Sequence, residues 1–168
     1  VGAATIGSRS SPGRNRPFKT DAAVSVMVAA GNDRLWNEAN GSATVEIPVR
    51  AGGGTRDYPV LIGPGLRRAV GSEVVRRAPS VRRWAVVTDE NVGPLYGDAV
   101  EAGLSDAGRA ATRVTVPAGE VEKTRARWGE VTDRLLSAGL GRDGGVIALG
   151  GGVVGDLAGF VAATYMRG

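Results

Sequence analysis

The sequence contains no cysteine and no histidine. Without cysteine there is no disulfide framework and no thiolate metal site. Without histidine, any metal held by this chain would rest on carboxylates alone, and the acidic residues form no tight cluster along the sequence. Aromatic residues are scarce at 5%. Val, Ala, Leu and Gly dominate instead, which suits an α/β core packed from small aliphatic side chains. No apolar run reaches the ~20 residues needed to cross a bilayer. Ala22–Ala30, with Lys19 ahead of it, imitates the apolar core of a signal peptide, but Asp21 sits at the wrong end and the basic stretch is overlong. A cytoplasmic protein without membrane contact is therefore expected. Acid is missing from residues 1–20, which carry Arg9, Arg14, Arg16 and Lys19; from residue 21 onward 17 basic residues face 17 acidic ones. The net charge of +4 thus lies in the first 20 residues, and a broad nucleic-acid surface on the folded body is not expected.

The 168 residues suffice for one ordinary domain. Residues 1–42 sustain neither a strand period nor a helix period. Ser8–Pro17 has the composition of a disordered segment, and its Arg and Ser content without acid also resembles a transit peptide. The first residue is Val, not Met. The expected organisation is a disordered basic extension over 1–42 and an α/β domain over 43–168.

Thr44–Arg50 alternates, with Val45, Ile47 and Val49 on one face, and Pro48 argues for an edge strand. Tyr58–Ile62 reads as a second strand after a glycine-rich loop. A helix is expected from Pro64 and Gly65 to about Ala78, with Leu66, Ala69, Val70, Val74 and Val75 inward and Arg67, Arg68, Arg76 and Arg77 on a solvated face. Strands follow at Val81–Thr88, Thr112–Val116 and Val146–Leu149, and helices at Val92–Ala107, Val121–Ala138 and Val153–Tyr165. In the second of these helices Trp128, Val131, Leu135 and Leu136 are expected inward. Such alternation implies a Rossmann-like, mostly parallel sheet with helices on both faces. Ligands of such sheets gather beyond the carboxyl ends of the strands.

The strand-end residues offer chemistry that fits this position. Asp89 and Asn91 can cap the next helix or accept hydrogen bonds from a ribose or amide. Gly119, Glu120 and Lys123 sit where another strand enters a helix. The pair at spacing three shares a helical face; the carboxylate can bind ribose hydroxyls or stabilise the helix dipole, and the lysine can meet a phosphate or an adenine edge. The last strand runs into Gly150, Gly151 and Gly152, then into a helix carrying one charge, Asp156. A glycine turn at a helix N-terminus suits a phosphate, above all a dinucleotide pyrophosphate. Gly150, Gly152 and Gly155 satisfy G-x-G-x-x-G. In a chain with 27 glycines, the same pattern also fits a ligand-free turn.

Residues 150–168, GGGVVGDLAGFVAATYMRG, closely resemble the 3-dehydroquinate synthase family. Pro117–Lys123 is similar to that family's P-x-G-E-x-x-K segment, Thr88–Val92 to its T-D-x-N-V turn, and Tyr58–Leu66 to its Y-P-I-x-I-G-x-G-L. The four motifs occur in family order over about residues 44–168. The last three named also fit relatives that make or oxidise polyols. The resemblance implies an NAD-dependent sugar-phosphate cyclase of the shikimate pathway. Its reaction converts 3-deoxy-arabino-heptulosonate 7-phosphate to 3-dehydroquinate and phosphate, a carbon–oxygen lyase step, with zinc or cobalt as the metal and a homodimer as the assembly. It implies that Gly151, Gly152, Val153, Val154, Gly155 and Asp156 line the pyrophosphate and nicotinamide side. Asp89, Asn91, Gly119, Glu120 and Lys123 would line the adenosine side, and Arg167 would stand near the substrate or serve as a cationic helix end. The family's Glu and two His metal ligands, its substrate lysines and its helical metal domain have no counterpart in this sequence. The expectation is an NAD-binding part that is inactive alone, with an unpaired sheet edge beside its last helix. Two alternatives stay open: a related cyclase or polyol dehydrogenase, and a non-catalytic nucleotide-binding module with a basic tail.

Overall fold

The structure, a computed structural model, describes residues 23–27, 44–50 and 58–167. Among these residues the chain forms strands β1 (Ala23–Met27), β2 (Val45–Val49), β3 (Tyr58–Ile62), β4 (Arg83–Asp89), β5 (Ala110–Val116) and β6 (Gly145–Gly150). Its helices are α1 (Val70–Arg77), α2 (Gly93–Asp106), α3 (Arg125–Ser137) and α4 (Gly152–Thr164), with 3-10 turns at Glu120–Glu122 and Tyr165–Arg167. The main sheet is parallel in the order β1-β6-β4-β5. Strand β4 is central, and its residues Trp84 to Thr88 are all buried. Its alternate side chains enter two separate cores. Ala85 and Val87 pack under α3 and α4 with Val131, Leu135, Val154, Leu157 and Val161. Trp84 and Val86 pack under α1 and α2 with Val70, Val74, Val100 and Leu104. Helices therefore cover both faces, which explains why β4 and β6 read as unbroken apolar runs.

The α/β class and its mostly parallel sheet are as expected, and the departures have local causes. Gly65 adopts φ +74, and residues 63–69 form turns, so α1 begins at Val70. The single helix expected over Val121–Ala138 is broken. Gly119 at φ +117 starts a 3-10 turn, and α3 then begins anew after its cap Thr124, whose side chain accepts from the Arg127 amide at 3.1 Å. Leu136, expected inward, is 49% exposed. Strands β2 and β3 form their own antiparallel hairpin outside the parallel sheet. Its facing pairs Val45–Ile62, Ile47–Val60 and Val49–Tyr58 build one largely exposed apolar face, and Glu46 on the opposite face meets Arg77 of α1 at 4.0 Å. Strand β1 lies inside the segment expected to be disordered, and it pairs in parallel along the outer edge of β6. The unpaired edge expected there is thus occupied. The rest of residues 1–42 lies outside the described residues.

Candidate functional site

The helices fix where a ligand can sit. From β4 the chain leaves through α2 on one face of the sheet to β5; from neighbouring β6 it leaves through α4 on the opposite face. Adjacent strands whose connections part in this way open a crevice between their carboxyl ends. Here those ends are Thr88–Asp89 and Leu149–Gly150. The buried Thr88 hydroxyl donates to the Leu149 carbonyl at 2.7 Å and locks the two strands at the floor of the crevice.

On the β6 side, the three glycines divide their tasks. A Cβ on Gly150 would lie 2.7 Å from Val154 Cγ2, so this glycine lets α4 pack against its own strand. Added Cβ atoms on Gly151, Gly152 or Gly155 would meet nothing within 4 Å. Gly151 has φ −85, so the turn does not rely on left-handed backbone; its glycines leave the backbone accessible. No side chain caps α4, and its first amides face the turn with the positive end of the helix dipole. Val154 turns its side chain into the core, Val153 is half-buried and Asp156, just past the first turn, is exposed.

On the β4 and β5 side, Asp89 Oδ1 accepts from the amides of Asn91 at 2.9 Å and Val92 at 2.8 Å. Asp89 thus shapes the entry to α2 with that oxygen, and Asn91 is exposed beside it. Glu120 and Lys123 form an ion pair at 2.8 Å, because residues three apart eclipse in a 3-10 turn. Lys123 Nζ also reaches Asp156 Oδ2 at 2.8 Å. The lysine is therefore engaged by two carboxylates, which raise its pKa above the ordinary lysine value, Asp156 before Glu120. One contributor escaped the sequence reading. Glu90, the variable position of its turn, accepts from the Ala118 amide at 3.3 Å, and its own amide donates to the Val116 carbonyl at 3.0 Å. Only the position of Glu90 between two strand-end residues hinted at that role.

The structure brings Asp89, Asn91, Gly119, Glu120, Lys123 and Gly151–Asp156 to the same end of the sheet. It does not bring Arg167 there: that residue ends the 3-10 turn beyond the far end of α4, where the Tyr165 hydroxyl donates to the Leu140 carbonyl at 2.7 Å ahead of β6. A small cavity of about 120 Å³, lined by Arg83, Trp84, Leu135 and Leu140 among others, also lies at that opposite end. Among the described residues no group of three His, Cys, Asp or Glu could hold a metal ion, and no helix is long and apolar enough to cross a membrane.

Residues 113–168 match the family described as 3-dehydroquinate synthase N-terminal. A 3-dehydroquinate synthase of Symbiobacterium thermophilum is 51% identical over 115 residues, covering 68% of this chain and 32% of the relative. One from Rhizobium etli is 46% identical over 130 residues, covering 77% of this chain and 33% of the relative. The chain thus spans about a third of the length of these relatives. The fold is shared with a solved structure of 2-deoxy-scyllo-inosose synthase holding carbaglucose-6-phosphate, NAD+ and Co2+ (TM-score 0.63, 18% identity, 74% of this chain and 33% of that one). A second structure of the same enzyme superposes with TM-score 0.63 at 21% identity, covering 75% of this chain and 34% of that one.

Proposed function

This chain belongs to the 3-dehydroquinate synthase family, and we propose that it forms the NAD-binding part of an enzyme that converts 3-deoxy-arabino-heptulosonate 7-phosphate to 3-dehydroquinate and phosphate. The observation that carries this reading is the uncapped N-terminus of α4 behind two glycines with open space above them, set in the crevice between β4 and β6. The residues fit a dinucleotide. The amides of the first turn of α4 would hold the pyrophosphate. The second oxygen of Asp89, together with Glu120, would take ribose hydroxyls, and Asp156 would face the nicotinamide half. When bound, NAD supplies a hydride acceptor that oxidises a ring hydroxyl transiently. The chain's own residues orient that acceptor over the carboxyl ends of the strands. The described residues do not fit a divalent metal, and the chain has no histidine, so a metal used by the whole enzyme would take its ligands elsewhere.

Calorimetric titration tests the reading. NAD should bind, and NADP should bind about tenfold or more weakly, because Asp89 and Glu120 would repel a 2′-phosphate. Absence of NAD binding by the folded chain would overturn the assignment; equal affinity for both cofactors would overturn the adenosine-side placement of the two carboxylates.

A further inference from the structure

The wall of the crevice on the β5 side is a connection, residues 117–124, whose own backbone hydrogen bonds run within its 3-10 turn, as from Lys123 N to the Glu120 carbonyl at 3.1 Å, and so do not set its distance from α4. Gly119 bends it at φ +117, a conformation that side-chain-bearing residues rarely adopt. Strand β5 is not a neighbour of β6; β4 lies between them. Two polar ties reach out of the connection from opposite ends. Ala118 N donates to Glu90 on the β4 turn at 3.3 Å, and Lys123 reaches Asp156 on α4 at 2.8 Å while also holding Glu120 at 2.8 Å. Farther along, Trp128 Nε1 donates to Thr164 Oγ1 at 2.9 Å, and its ring packs at 5.9 Å from Phe160. That contact fastens the body of α3 to α4, and Glu122 holds the end of the connection to Arg127 of α3 at 2.6 Å; the ties to the β4 turn and to α4 remain those of Ala118 and Lys123.

We propose that Lys123 is a positioning residue: shared between Glu120 and Asp156, it straps the β5–α3 connection to the N-terminal half of α4 and thereby sets the width of the dinucleotide crevice. The proposal rests on the NAD reading for its consequence but not for its geometry. Both carboxylates are well exposed, at 73% for Glu120 and 69% for Asp156. Ion pairs of this kind add little to stability, so the effect of the strap is placement. A lysine committed to two carboxylates has at most one ammonium hydrogen left to offer a ligand, which argues against a main role as a phosphate contact. It also removes the repulsion that two unshielded carboxylates would otherwise exert on a pyrophosphate.

The test has two arms, using Lys123→Met, Lys123→Arg, Asp156→Asn and the double variant of Lys123→Met with Asp156→Asn. In the first arm, without NAD, amide exchange over residues 118–124 should quicken about two- to fivefold in Lys123→Met and in Asp156→Asn. Lys123→Arg should restore it, and exchange in β4 and β6 should stay unchanged. Unchanged exchange over 118–124 would overturn the strap whatever NAD does. In the second arm, NAD affinity should fall about tenfold in each single variant and no further in the double variant. A fall that multiplies, to about a hundredfold in the double variant, would show independent ligand contacts and overturn the proposal. Failure of the unaltered chain to bind NAD, with the exchange result intact, would count against the NAD reading and leave the strap supported by the first arm.

Discussion

At the scale of single residues, the glycine turn separates packing from binding. Gly150→Ala would drive a methyl group against Val154, an overpacking that costs about 1–3 kcal/mol. Gly152→Ala meets open space at the first position of a helix, where the change is neutral or stabilises by up to about 1 kcal/mol. Thermal melts should therefore rank Gly150→Ala below and Gly152→Ala at or above the unaltered chain. NAD titration should show Gly152→Ala binding about tenfold more weakly, since its methyl group enters the space above the turn. If Gly152→Ala binds NAD undiminished, the backbone there does not face the ligand. The sequence marked the three glycines as a group. It could not assign their separate tasks, because the partner of Gly150 is Val154, a residue placed by the pitch of the helix.

At the scale of elements, α1 illustrates how charge supports a short helix. Glu73 sits in its first turn and is paired with Arg76 at 2.7 Å and Arg77 at 2.9 Å. Burial pushes the Glu73 carboxyl up, but the hydrogen bonds and charges of the two arginines outweigh it and hold the pKa below its ordinary value of 4.5. A depressed carboxylate stabilises the fold above that ordinary value and loses its contribution as pH falls through the folded value. Acid titration followed by amide exchange should show α1 loosening below about pH 4.5, and Glu73→Gln should flatten that dependence. A response that survives Glu73→Gln would place its origin in another group. Element positions were legible wherever apolar period and glycine stops agreed, as for α2, β3, β4 and α4. They were not legible at residues 120–125, where a run without proline suggested one helix. Only the backbone angle of Gly119 and the capping hydroxyl of Thr124 reveal two. Leu136 misled for a related reason: it neighbours the buried Leu135 in sequence but points about 100° away around the helix.

At the scale of the whole molecule, the ends of strands decide where chemistry gathers, and this was legible from alternation alone. The crevice residues came together because each followed a parallel strand. Arg167 was named from the resemblance and stands apart because it follows a helix. What no pattern foretold was β1, which lacks a long enough period to betray itself and takes its definition from β6 alone. Removing residues 1–30 should strip that cover. Amide exchange in β6 should quicken, and light scattering should show self-association through the bared edge. Unaltered exchange in β6 would mean that β1 protects nothing. The place of β1 also sets a rule of succession. Helix α4 lies on the same face as α3, and α3 leads the chain from β5 past β4 to β6. Right-handed crossover then obliges any strand led onward by α4 to move the same way, away from β4. That is the edge where Ala23–Met27 already sits. The seat beside β6 is single, so a strand arriving from α4 must either displace the amino-terminal segment or pass it, as α3 passes β4, and pair on its outer edge. Displacement would cost all five pairings of β1, the last of them Met27 with Gly150 at the very lip of the crevice.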